Sequence, residues 1–510
     1  MPPMINRRTT RLLLSVLAAA LVLCSCGSNA GEGVSGGTVA ARDHVNGRGP
    51  QDATGRVELA PKRPGADCGR DERSEVSPGT PSPADAAAAE TPIDYHQAWF
   101  LGTSRLYPET VQAPPRAPRG YVPVYLSHYG RHGSRYTSER GLYEGVAEVL
   151  GKASRDGMLT PLGAGIWERY SAILPFLIVH EGELTPLGAK QHGSIAERMV
   201  HNYPRLFKGR GTRIVANSTN LERTMLSMLH FNQALLSWNP HLNIQSDASK
   251  AYMGRINQHN PANPRVTPED VRWKSPDAPW RPGFDRWCES LLDWRSFCGR
   301  LFKDTAYVQG ICDPVLFERH FFSVAQNLPG CPVPDCGFME AFGDDELQLL
   351  GRLENYTFYV EKSMYPRGNK RGCYLSEAVL GDIIDRAAED ISDGVRVRLR
   401  FGHDGCIMAL LSMMGIDGWN AIPDDPAEAW KFWDVSRVPM ACNLQLVFFA
   451  PRKQAARPAA SDILVLMMLN EEPLRLPLDA CDGFYYRWSD FLEHYISVLQ
   501  DARNALDMHL

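Results

Sequence analysis

The chain has 510 residues, 44% of them hydrophobic, and a formal net charge of −5. That is enough apolar material for a sizeable core in two or three domains. The slightly acidic balance provides no global basic surface of the kind that nucleic-acid binding requires.

Taken in order, the first 26 residues stand apart. Arg7, Arg8 and Arg11 precede or open the apolar run LLLSVLAAALVL, which ends at Cys24-Ser25-Cys26. This is the layout of a secretory signal, and the run is too short for a spanning helix. Leu23-Cys24-Ser25-Cys26 resembles a bacterial lipobox, which implies Cys26 as a lipidated N-terminus, a membrane as partner and the cell envelope as location. Cys24 fits less well because bulky Leu23 would precede the cut, and an ordinary cleaved signal is the alternative. Residues 27–92 are Gly, Ala, Pro, Ser and charge with almost no aromatics. Such a segment cannot bury enough surface to offset its ordering entropy, so a disordered tether is expected. Export permits disulfides among the ten later cysteines, and Cys331 and Cys336 of CPVPDC could close a short loop. No paired CxxC with matching histidines exists, so zinc is rejected.

The stretch from 121 to 140 reads YVPVYLSHYGRHGSRYTSER. Val122, Val124 and Leu126 alternate as in a strand. A loop follows that crowds Arg131, His132 and Arg135 within five residues. Gly130 and Gly133 flank Arg131-His132, where glycine lets backbone approach a bound group closely. Positive neighbours lower an imidazole's pKa and keep it neutral and nucleophilic at mildly acid pH. A bound dianion relieves the crowding, since guanidinium forks match phosphate oxygens.

Helical periodicity runs over about 139–155, and LTPLGA occurs twice, each time with a Thr N-cap before a Pro (Thr160-Pro161 and Thr185-Pro186). Ile214–Ala216 reads as a short buried strand. Thr219 and Glu222 have capping-box spacing, and Leu221, Met225 and Leu229 form an apolar helical stripe. From about 250 to 385 strand–helix alternation is lost, with helices expected over 344–360 and 377–388. Within it, Arg367, Lys370 and Arg371 form a basic cluster. Then Val395, Val397, Leu399 and Phe401 alternate with Arg396, Arg398 and Arg400, predicting a strand with one buried face that ends at Gly402-His403-Asp404 before an apolar helix. Two strands thus each deliver a histidine at a C-terminal end, where open α/β sheets bind ligands. Strands over 443–450 and 462–470 suggest a hairpin, and a last helix spans about 489–505.

The loop Arg131-His132-Gly133-Ser134-Arg135 resembles the RHG signature of the histidine phosphatase superfamily, in its histidine acid phosphatase and phytase branch. The segment GELTPLGAKQHG is similar to that branch's LTxxGxxQ, and Ser218–Arg223 includes the arginine of a related phosphate-binding segment. The resemblance implies an α/β fold: a Rossmann-like, mostly parallel sheet flanked by helices, with an inserted mainly α-helical cap. It places the core at 93–249 and 386–510 and the cap at 250–385. It implies that His132 attacks phosphorus, that Asp404 donates the proton, and that Arg131, Arg135, Arg223 and His403 hold the phosphate, with no metal or cofactor. Arg367, Lys370 and Arg371 are expected as a possible rim for highly phosphorylated inositols such as phytate. Two departures are Thr137, where the branch commonly has proline, and His403-Asp404, where animal-type inositol polyphosphate phosphatases carry His-Ala-Glu. The rival functions are a lipid-anchored binding protein for phosphorylated nutrients and a phosphoglycerate-mutase-like phosphotransferase.

Overall fold

A computed structural model describes residues 93–508. The signal, both candidate lipidation cysteines and the whole of the tether (residues 27–92) lie outside the described residues. From Asp94 onward the chain packs as one compact unit.

Its centre is a mixed sheet in the order β3-β2-β4-β1-β5-β6-β7, with β8 also pairing to β6. The strands are β1 (Tyr121–Arg131), β2 (Arg213–Ser218), β3 (Asn243–Asp247), β4 (Val395–Gly402), β5 (Asn443–Pro451), β6 (Leu464–Leu469), β7 (Glu472–Pro473) and β8 (Tyr485–Arg487). β3, β2, β4 and β1 are mutually parallel. The other half, β5 to β8, is antiparallel, so the sheet is less parallel than expected. β5 and β6 form the antiparallel pair that the tail predicted. Leu126, Ile214, Ala216, Val397, Leu399, Phe401, Val447 and Leu466 meet in the sheet's main apolar core.

β4 corrects one expectation. Its arginine side does not face water. Arg398 makes a two-pronged ion pair with Asp390 (2.6 and 2.7 Å), whose carboxylate also accepts from the Tyr125 hydroxyl. Arg400 donates to Asp382 (2.7 Å) and to Ser127 Oγ (2.9 Å). All four charges are buried, and a buried charge is tolerated only when paired. Both aspartates lie on the helix Glu377–Asp393. A one-residue slip of β4 would strand both arginines, so these pairs fix the register of the strand that ends at His403.

That helix therefore packs on the sheet, against β4 and β1. The helical lobe also draws on residues before the insertion. Helices Arg140–Arg155 and Pro161–Val179, between β1 and β2, pack on Pro314–Asn327 and Trp294–Leu301 of the insertion. Cys331 and Cys336 are unbridged, each thiol lying 3.6 Å from a nearby carbonyl, Asn327 or Pro334. Among the described residues no disulfide occurs.

Inside the lobe, Glu318 is fully buried among described residues that leave both its carboxyl oxygens without a hydrogen bond. Burial, reinforced by Glu346, pushes it up to about 8 from an ordinary 4.5. The unfolded chain releases this proton near 4.5 while the folded chain holds it to about 8. Folding stability should therefore fall as pH rises through that window, by up to about 1.4 kcal/mol per pH unit. Denaturant unfolding of Glu318→Gln should lose this slope. Parallel pH profiles for the two proteins would show that Glu318 ionises freely in the fold.

Candidate active site

β1 and β4 run side by side, with Arg131 opposite Gly402. The ladder continues one step beyond, His132 N–H donating to Gly402 C=O (3.1 Å). On the other side the carbonyl of His132 accepts from Ala441 N–H (3.0 Å), and Ala441 sits at φ 57°. A non-glycine residue there is strained, and this bond helps hold it in place. The two strand ends thus bring His132 and His403 together, ring centroids 5.8 Å apart.

The second LTPLGA segment supports the loop from below. Thr185 Oγ1 accepts from Gly188 N–H and donates to Ser134 C=O (3.0 Å). Gln191 exchanges two hydrogen bonds with Ser134, one with its N–H (2.8 Å) and one with its Oγ (2.9 Å). Gly133 and Gly188 pack so closely that a Cβ on Gly133 would lie 2.5 Å from Gly188 O. The Gly of RHG is thus a packing requirement. Gly402 is another, since a Cβ there would meet the Tyr129 hydroxyl at 2.1 Å.

His132 Nδ1 lies 2.9 Å from Gly133 C=O. A carbonyl only accepts, so Nδ1 carries the proton and Nε2 the lone pair. Burial holds the imidazole well below its ordinary pKa, reinforced by the guanidiniums of Arg223, Arg131 and Arg135. It is a neutral base with its nucleophilic nitrogen chosen by the backbone. Burial and Arg223 likewise take His403 down to about 3. His403 Nε2 contacts Thr219 Oγ1 (3.3 Å), and among the described residues its buried Nδ1 has no hydrogen-bond partner.

Arg131 is almost wholly buried. Its Nη1 donates to Thr103 C=O (2.6 Å) and Val438 C=O (3.0 Å), and its Nη2 pairs with Asp404 at 2.8 Å. Arg135 donates to Tyr136 C=O. Arg223 lies in the first turns of the helix Glu222–Trp238, which Ser227 ties to the loop by accepting from Gly133 N–H and donating to Arg223 C=O. Asp404 opens the helix Asp404–Met413 and accepts from Gly405 N–H (2.6 Å). Helix N-termini favour anions. Burial raises the Asp404 carboxyl, but Arg131 and the Gly405 N–H outweigh it and hold it below its usual value. In this state Asp404 is ionised, not the protonated acid that the motif suggested.

The structure therefore brings His132, His403, Asp404, Arg131, Arg135 and Arg223 together in one cluster. It does not do the same for the basic cluster. Arg371 pairs with Asp270 (3.1 Å) and donates to the carbonyls of Arg265 and Leu506, so it is a tie to the C-terminal helix and not a rim residue. A half-buried guanidinium beside a buried carboxylate is claimed by it. Arg367 and Lys370 are exposed, lying over Tyr365 and Tyr374. The capping box at Thr219 is absent as well: the helix starts after Leu221, and Thr219 Oγ1 bonds Thr224 Oγ1 (2.7 Å).

Other site residues went unforeseen. Lys362 is buried beside Gly405, its Nζ 3.5 Å from where a Cβ would stand there. Lys274 adds positive charge that both His403 and His259 feel. Glu139, facing Arg135 and Arg281, is pushed by burial up to about 7. Lys362 ends an amphipathic helix (Asp344–Lys362), and nothing in its sequence context separates it from a solvated C-terminal lysine.

No family model and no curated protein matches the chain. Solved structures do. A multiple inositol polyphosphate phosphatase of Bifidobacterium longum, in complex with phosphate, aligns over 78% of this chain and 97% of its own at TM-score 0.61 and 16% identity. The same protein with inositol hexasulfate aligns at 0.58. The phytase from D. castellii aligns over 79% of this chain and 84% of its own, at 0.59 and 16% identity. The chain has the fold of these phosphatases and phytases.

Proposed function

We propose that the chain is an exported histidine acid phosphatase that hydrolyses phosphomonoesters through phosphohistidine, inositol polyphosphates such as phytate among them. The observation that carries this is a neutral His132, its Nδ1 committed to a carbonyl, facing three guanidiniums and one carboxylate. Nε2 attacks phosphorus in line, forming the N–P bond as the P–O bond to the alcohol breaks. Asp404, once it has taken up a proton in the substrate complex, gives it to the departing oxygen. Arg131, Arg135, Arg223 and His403 hold the equatorial oxygens, where the charge of the transition state lies. Water then attacks the phosphorus of phosphohistidine, giving a proton to Asp404 as the N–P bond breaks and its electron pair returns to Nε2, and phosphate leaves. These groups alone complete the cycle, so chelator should leave the rate unchanged.

Phosphate release from p-nitrophenyl phosphate and from phytate tests the proposal. Tight binding of either without turnover would replace it with a binding protein. Anchoring rests on the Leu23–Cys26 pattern and is tested by incorporation of labelled fatty acid, which Cys26→Ala should abolish.

For substrate selection, Arg367 and Lys370 are the cluster's remaining exposed cations. If they meet distal phosphates, replacing both by Ala should raise KM for phytate severalfold more than for p-nitrophenyl phosphate, and less so at high salt. Equal changes in the two KM values would make them ordinary surface charges. Arg371→Ala should instead lower the melting temperature.

A further inference from the structure

We propose that oxyanion binding at this site is coupled to protonation of Asp404, because the substrate phosphate and the Asp404 carboxylate compete for one edge of Arg131. The proposal rests on the pocket being a phosphate site, as above.

Arg131 cannot swing to serve both anions. Its Nη1 is fixed by two carbonyls, Thr103 and Val438, and the side chain is 1% exposed. What remains is the edge formed by Nε and Nη2. Nε is buried with no hydrogen-bond partner among the described residues, and Nη2 is taken by Asp404 Oδ2 at 2.8 Å. A two-pronged grip on phosphate needs both atoms of that edge. A dianion seated there comes within a few ångströms of the carboxylate, and like charges so close disfavour each other's ionised form.

The other groups around Asp404 do not remove the conflict. Arg131 and Arg135 face it from β1 and its loop, and Arg223 acts on both His132 and His403 from the helix Glu222–Trp238. His403 adjoins Asp404 on its own segment, Lys362 stands beyond Gly405, and Cys442 lies before β5. Both histidines are neutral, and the guanidiniums that favour an ionised Asp404 are the ones a phosphate would claim. Asp404 keeps the Gly405 N–H on Oδ1, leaving Oδ2 as the atom that loses its cation and gains the proton. One proton moves from solution, or from the substrate's own monoanion, to Oδ2. The same proton later goes to the leaving alcohol. The acid is thus armed by the substrate and stays ionised in the empty enzyme.

The test is calorimetric titration of the whole protein with inorganic sulfate, which stays dianionic where the protein titrates. It is run near pH 6 in two buffers of differing ionisation enthalpy. Wild type should take up close to one proton per sulfate, and its Kd should rise about tenfold per pH unit. Asp404→Asn should bind sulfate without uptake, with a flat pH profile, and more tightly than wild type near neutral pH. Sulfate binding by wild type with no uptake overturns the coupling alone. Uptake that persists in Asp404→Asn also overturns it, moving the proton to Glu139 or a histidine. Failure of both proteins to bind sulfate overturns the phosphate-site reading beneath it.

Discussion

His132→Ala is expected to lower phosphatase activity by about 10⁴-fold or more, the scale seen when a covalent nucleophile is removed. Among the described residues the neighbouring imidazole, His403, is differently placed. His403 Nε2 is engaged with Thr219, and its ring stands 5.8 Å away. The loss should fall on chemistry and spare the fold, because Arg131 is held by Thr103 and Val438, and Ser134 by Thr185 and Gln191. The measurement pairs turnover of p-nitrophenyl phosphate with acid- and base-quench trapping of labelled phosphoenzyme, and with sulfate binding as the control for an intact pocket. Wild type should yield an acid-labile, base-stable phosphoenzyme, and the variant none. Residual activity within about tenfold of wild type would remove His132 from the nucleophile's role.

The second large effect separates Asp404 from His132. A general acid matters in proportion to the leaving group's need for a proton. Nitrophenolate departs unprotonated, whereas an inositol or sugar alkoxide does not. Asp404→Asn should therefore slow hydrolysis of alkyl phosphates by about 10²-fold or more. The first step with p-nitrophenyl phosphate should suffer less, and phosphohistidine should accumulate because the base for its hydrolysis is gone. Single-turnover rates and burst amplitudes for both substrates decide it. Equal slowing of the two first steps would mean that the proton comes from another group. Combined with tighter sulfate binding, the expected signature is a variant that grips the oxyanion better and turns it over worse.

The candidate site was more legible in the sequence than the surroundings that hold it. β1 and β4 declare themselves by alternation, and the histidines follow at the strand ends. Where the sequence misled, it was because buried surface was taken to be apolar. On Glu222–Trp238, Met225 and Leu229 are exposed, whereas Arg223, Thr224 and Ser227 face inward to serve the pocket. Arg398 and Arg400 failed for the same reason, their aspartates being supplied from a helix upstream. The Arg131–Asp404 pair joins residues far apart in the chain and has no periodicity to betray it. Lys362 and Ala441 are likewise set by tertiary packing alone.

The unbridged cysteines make the protein its own reporter of opening. Burial pushes Cys288 up to about 11 and Cys312 and Cys331 up to about 12, and raises Cys298, Cys373 and Cys442 as well, so in the native state these are protonated, and all but the partly exposed Cys312 are screened from reagents. Cys481 is exposed. A neutral-pH alkylating pulse should therefore mark Cys481 promptly and the buried set only as the fold breathes. Thiols of the insertion (Cys288, Cys298) and of the sheet's margin (Cys442) would record separately which part lets go first. In an oxidising compartment that same schedule becomes a hazard. A chain that opens there exposes several thiols with no native pairing to guide them, so each excursion risks capture in a scrambled cross-link.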